Sequence, residues 1–216
     1  FMPTFQTIYD TLLDAFGPQH WWPADSPFEV AVGAVLTQNT AWTNVERAIA
    51  NLKAADCLSP HSLYALPPRE LAELIRPAGY FNVKAQRLQA LCQFLLEQTG
   101  GPLEGLADRD TPALRAELLG VKGVGEETAD SILLYALDRP VFVVDAYTRR
   151  VFERLDLLEP GLTYGAVQTA FEAALPRDRA LFNDYHAQVV ALGKGYCKPR
   201  PRCTAWRPVK TRPSAI

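Results

Sequence analysis

The sequence predicts an all-α fold, on three observations. Apolar residues recur at helical spacing along almost the whole chain, and Pro and Gly punctuate the periodic segments. The single strand-like run, 141–144, stands alone, and a run that short founds no sheet. With 216 residues the chain can bury a core as one domain or two small interlocked ones. Its composition, 48% apolar and 21% charged, excludes a disordered chain, a collagen and a coiled-coil rod. No apolar run approaches the roughly 20 residues that span a bilayer. Residues 1–6 lack the basic and apolar regions of a secretory signal, so the cytoplasm is the expected location.

The elements follow in order. Phe5, Ile8, Tyr9, Leu12, Leu13 and Phe16 make one apolar face, closed by Gly17-Pro18. Ser26 reads as an N-cap, Pro27 as the first helical residue and Glu29 as the partner in a capping box. Residues 30–36 are apolar nearly all round, which makes that helix central. Val45, Ala48, Ile49 and Leu52 form the next stripe. Residues 83–96 form a third, ended by Gly100-Gly101, and Thr111-Pro112 opens a fourth that runs to Leu119. Helices over 126–137, 146–155, 164–175 and 178–192 complete the chain, the last two parted by Pro176.

The net charge of −2 conceals an asymmetry. From Lys194 onward there are seven basic residues (Lys194, Lys198, Arg200, Arg202, Arg207, Lys210 and Arg212) and no acidic one. The remainder carries 15 basic and 24 acidic residues. A basic tail on an acidic body suits a polyanion such as nucleic acid, though a solvated terminus would read the same way. Cys57 and Cys92 fall in helical patterns as small buried hydrophobes, whereas Cys197 and Cys203 lie in the basic tail. His20, His61 and His186 have no metal-ligand spacing and receive no role.

Three segments carry chemistry. In the first, Gly123-Val124-Gly125 separates two helices, with Lys122 just before it and Glu126-Glu127-Thr128 just after. Such a turn leaves backbone N–H groups free to meet a phosphate, or is simply a tight connection. In the second, the apolar run 141–144 delivers Asp145 to the start of a helix, where a carboxylate commonly caps. Tyr147, two residues on, would border the same site or merely pack. The third is Thr37-Gln38-Asn39-Thr40, which reads equally as a polar helix end.

Hairpin, helix and carboxylate in this order resemble the helix-hairpin-helix DNA glycosylases, and within them the endonuclease III family, over nearly the whole chain. The resemblance implies two helical lobes flanking a DNA-binding cleft. One lobe is 25–136, ending in the hairpin. The other joins 1–24 to 137–216, with the catalytic Asp near the boundary. It makes Asp145 the essential catalytic residue and Gln38 the wedge that enters the duplex behind a flipped base. Lys122, Gly123, Val124 and Gly125, with Lys198 and Arg200, become the phosphate-binding set. The expected partner is double-stranded DNA containing damaged bases, bound by a monomer (nucleoid-associated in a prokaryote) without a membrane.

Two departures from endonuclease III matter. The family's imine-forming lysine falls on Glu127, and a carboxylate forms no imine. A monofunctional glycosylase, lacking lyase activity, is therefore expected. The family's four-cysteine [4Fe–4S] loop retains only Cys197 and Cys203, with Trp206 and Arg212 at the other positions, so no cluster is expected. Lys194, if buried and neutral, is a candidate for carbamylation as a replacement pin. Together with these departures, Trp21-Trp22-Pro23 and Trp42 resemble the aromatic pocket of the 3-methyladenine DNA glycosylase offshoot. Excision of alkylated purines is the expected activity. The alternatives are an endonuclease III-like enzyme for oxidised or mismatched pyrimidines and a non-catalytic DNA-binding relative.

Overall fold

The computed structural model describes residues 3–200, and they divide into two compact units, Trp22–Arg139 and a second made of 3–21 with 140–200. Among the described residues the regular elements are all helical, as the periodicity predicts.

The unit from Trp22 is built on α2 (Pro27–Leu36), which is buried from Phe28 onward. Ser26 caps it by accepting from the Glu29 amide at 3.1 Å. Glu29 does not close the expected box. Its carboxylate instead accepts from the Asp25 amide, one residue before the cap, and pairs with Lys53 at 2.8 Å. Lys53 lies on α3 (Trp42–Ala54), so this carboxylate joins two helices. Two short helices follow, α4 (Pro60–Ala65) and α5 (Pro68–Leu74), each with Pro in its first turn. They pack on α6 (Phe81–Thr99), which ends where Gly100 takes a left-handed conformation. The last pair is α7 (Thr111–Leu119) and α8 (Glu126–Ser131), the second continuing as one π-helical stretch over Ile132–Ala136.

Lys84 on α6 is buried at 1% exposure and donates to the carbonyls of Leu36 (2.9 Å) and Ala78 (2.7 Å). It thereby ties the end of α2 to the entrance of α6. Burial, with the Arg87 charge nearby, pulls its ammonium down from 10.5 to about 8. Between those values the unfolded chain binds the extra proton, so the Lys84 contribution to stability rises with pH. The stability gap between wild type and Lys84→Met is expected to widen from pH 8 to pH 10, measured by urea denaturation. A gap independent of pH would contradict this placement.

The second unit holds α1 (Phe5–Phe16), α9 (Ala146–Arg154), α10 (Tyr164–Ala174) and α11 (Arg179–Gly195). Its core is aromatic. Phe142 stacks on Phe171 at 4.0 Å, and Phe152 meets the same ring edge-on at 4.7 Å. Phe5 contacts both Phe152 and Phe171. The run 141–144 is buried, and among the described residues it has no strand partner. Three of its backbone groups are met by α10 side chains spaced four residues apart. Tyr164 Oη accepts from Val144 N (3.2 Å), Gln168 donates to Phe142 O (2.8 Å), and Glu172 accepts from Phe142 N (2.9 Å). One face of a helix thus does the work of a neighbouring strand and fixes the segment that leads into Asp145.

Candidate active site

Asp145 is the N-cap of α9. Its Oδ1 accepts from the Thr148 amide at 2.7 Å and the Thr148 hydroxyl at 2.9 Å. Its Oδ2 lies 3.4 Å from His186 Nε2, on α11, and both side chains are nearly buried. Burial alone would raise this carboxyl. The His186 contact and charge, with the two Thr148 bonds, outweigh burial and hold it below the ordinary carboxylate value. The carboxylate that caps α9 therefore uses its two oxygens differently, one toward Thr148 and the other toward His186.

His186, whose spacing points to no role, stands beside Asp145. Trp21 of the same unit stacks across its imidazole, with centroids 5.6 Å apart and planes 29° apart. Tyr147 packs against the α11 backbone at Gly193, where an added Cβ would collide with the ring. Arg150 lies over Tyr147 at 5.0 Å and donates to the carbonyls of Gly193 and Cys197.

The other unit holds the hairpin and a second aromatic group. Trp22 meets Trp42 edge-on at 5.0 Å and Tyr135 at 5.2 Å, and its indole covers Gly33 of α2. Trp22, Trp42 and Tyr135 are all half-buried, while Pro23 is exposed. Tyr135, on the π-helical stretch, was not marked by the sequence pattern. Of the four residues expected to line a base pocket, Trp22 and Trp42 meet here and Trp21 sits with His186 instead.

At the hairpin, Gly123 has φ +89°, a left-handed conformation that favours glycine. Any Cβ there would also overlap Arg87 Cγ. Arg87 donates to Gln38 Oε1, and Gln38 Nε2 donates to Gly123 O (3.1 Å) and Thr128 Oγ1 (2.8 Å). The expected wedge residue is thus held on the hairpin in this structure, with Asn39 exposed beside it at φ +54°. Lys122, Gly125 and Glu127 are exposed, and Val124 is buried as the apolar anchor of the turn. α7 and α8 are clamped by Arg115, which grips Asp130 through two bonds of 2.7 and 3.0 Å.

The loop at Cys197 is fastened by arginines. Arg154 donates to Cys197 Sγ (3.2 Å) and to the carbonyls of Lys198 (2.7 Å) and Pro199 (3.1 Å). Lys198 and Arg200 are exposed. Lys194 is also exposed, so the burial that carbamylation would require is not present. Cys203, Arg202, Trp206, Arg207, Lys210 and Arg212 lie outside the described residues. A four-thiolate cluster does not fit this donor set. Cys197 is buried and engaged by a guanidinium, and only Cys203 accompanies it in the segment.

Residues 32–177 match the model of the HhH-GPD superfamily of base excision DNA repair proteins. A Methanocaldococcus jannaschii protein provisionally assigned as a DNA repair glycosylase is 50% identical, covering 91% of this chain and 90% of its own. Endonuclease III of Thermotoga maritima is 30% identical, covering 82% and 78%. Among solved structures, 3-methyladenine DNA glycosylase of H. pylori, bound to 1,N6-ethenoadenine, is 31% identical with TM-score 0.78, covering 89% of this chain and 98% of that one. An endonuclease III–DNA complex reaches TM-score 0.80 at 26% identity, covering 94% and 92%.

Proposed function

The chain belongs to the HhH-GPD superfamily of base excision DNA repair glycosylases, and from that premise we propose a monofunctional enzyme that hydrolyses alkylated purines such as 3-methyladenine out of double-stranded DNA. The observation that carries the reading is the cluster of Trp22, Trp42 and Tyr135, three half-buried rings grouped around one indole. Indole faces attract a cationic alkylated base. A flipped base is held by such stacking. The similarity to the H. pylori 3-methyladenine enzyme supports the same choice.

The reaction needs little acid catalysis. As the C1′–N bond breaks, its electron pair goes to the base and cancels the positive charge. Water supplies the new bond to C1′ and yields its proton to Asp145 Oδ2. The carboxylate also stabilises the cationic sugar before attack. Glu127 at the place of the imine-forming lysine leaves the abasic strand uncut. The enzyme works without an iron–sulfur cluster, Arg150 and Arg154 holding the loop in its place. Gly123, Gly125, Lys122, Lys198 and Arg200 grip phosphates, so affinity falls steeply with salt. Gln38 exchanges its hairpin bonds for the gap left in the duplex.

The test is release of free bases from chemically methylated and from oxidised DNA, followed by chromatography. Release of 3-methyladenine supports the proposal. Release of oxidised pyrimidines alone would favour an endonuclease III-like substrate range, in keeping with the Thermotoga maritima relative.

A further inference from the structure

Thr148 occupies Asp145 Oδ1 with two hydrogen bonds, which leaves Oδ2 as the oxygen available to a sugar or a water. His186 Nε2 stands 3.4 Å from that atom. The imidazole is held from several sides. His186 is buried on α11, and Trp21 covers its ring. The Tyr147–Gly193 contact sets the separation of α9 from α11, and Arg150 bridges the same two helices.

From this arrangement we infer that His186 is a positioning residue for base excision, keeping Asp145 Oδ2 ionised and aimed, with Trp21 keeping the imidazole in place. The inference rests on the glycosylase reading of Asp145. Its physical basis is a balance. Burial works against the carboxylate, and the imidazole beside Oδ2 works for it. Without the imidazole the burial effect is opposed by Thr148 alone.

Several charged groups on α1, α9 and α11 are engaged elsewhere. Asp184 accepts from Tyr9, Gln19 and Gln188. Asp10 accepts from Gln6. Arg149 donates to the Leu162 carbonyl, Arg150 to Gly193 and Cys197, and Arg154 to residues 197–199.

The experiment compares wild type, His186→Phe and His186→Gln. Phe retains an aromatic ring under Trp21 and removes both ring nitrogens, whereas Gln restores a polar group without an ionisable one. Single-turnover base release is followed from pH 4 to pH 8, alongside binding to a duplex with an abasic-site analogue. In His186→Phe the acidic limb is expected to move to higher pH, so that the rate at pH 5 falls relative to the rate at pH 8 while binding is unchanged. His186→Gln falls between the two. A His186→Phe enzyme with an unshifted acidic limb, whether fully active or uniformly slowed, would overturn the inference.

Carbon NMR of the Asp145 carboxyl reads the same contact without substrate. Its midpoint rises in His186→Phe if the inference holds, and an unchanged midpoint overturns it. A wild type that releases no base while the midpoint still moves refutes the glycosylase reading, and with it the catalytic purpose of the contact, while leaving the contact itself established.

Discussion

Asp145→Asn is expected to slow base release by about 10²- to 10⁴-fold while leaving DNA affinity and melting temperature nearly unchanged. The substitution keeps an oxygen to accept from the Thr148 amide at 2.7 Å, and Asn caps a helix as well as Asp does. What it removes is the charge at Oδ2 and the capacity to take a proton from water. Asp145→Ala removes the cap as well and should add a stability loss of about 0.5–2 kcal/mol. The pair of variants therefore separates capping from chemistry. An Asn variant that turns over like wild type would reduce Asp145 to a helix cap.

Arg115→Met should produce the largest loss of stability, about 3–5 kcal/mol, because it takes the guanidinium from a fully buried carboxylate. At about 2–4 °C per kcal/mol for a chain of this size, calorimetry should show a melting temperature lower by about 10 °C. The pair joins α7 to α8, the two helices that carry the Gly123 turn, so binding to undamaged duplex should weaken as well. Adding Asp130→Asn should recover part of the loss, since the two side chains act as one unit. A loss under about 1 kcal/mol would mean that packing alone holds the hairpin.

Much of this was legible in the residues themselves. The helical periods foretold the all-α class, and Gly123-Val124-Gly125 foretold a turn between helices, because these signals depend on neighbours a few positions away. The caps were only partly legible. Ser26 caps as expected, but Glu29 bypasses the cap for Asp25 and Lys53, a choice set by a lysine on another helix. The run 141–144 had the composition of a strand with no visible partner. The answer lay in Tyr164, Gln168 and Glu172, whose four-residue spacing places three polar groups on one face of α10. That spacing was present in the sequence, although nothing local says what the face binds. His186 and Arg87 were not legible. One meets Asp145 and the other lies under Gly123 only after helices distant in the chain have packed. The two adjacent tryptophans illustrate the same limit. The sequence marks the pair, and the fold sends Trp21 to His186 and Trp22 to Trp42 and Tyr135.

The most direct test of the central claim is one digest of methylated double-stranded DNA by the wild-type protein, scored for free 3-methyladenine and for strand breaks before and after alkali. Released base, breaks only after alkali, and no adduct trapped by borohydride are the expected results. Breaks without alkali, together with a borohydride-trapped adduct, would show an imine-forming lyase and contradict the place given to Asp145 and Glu127.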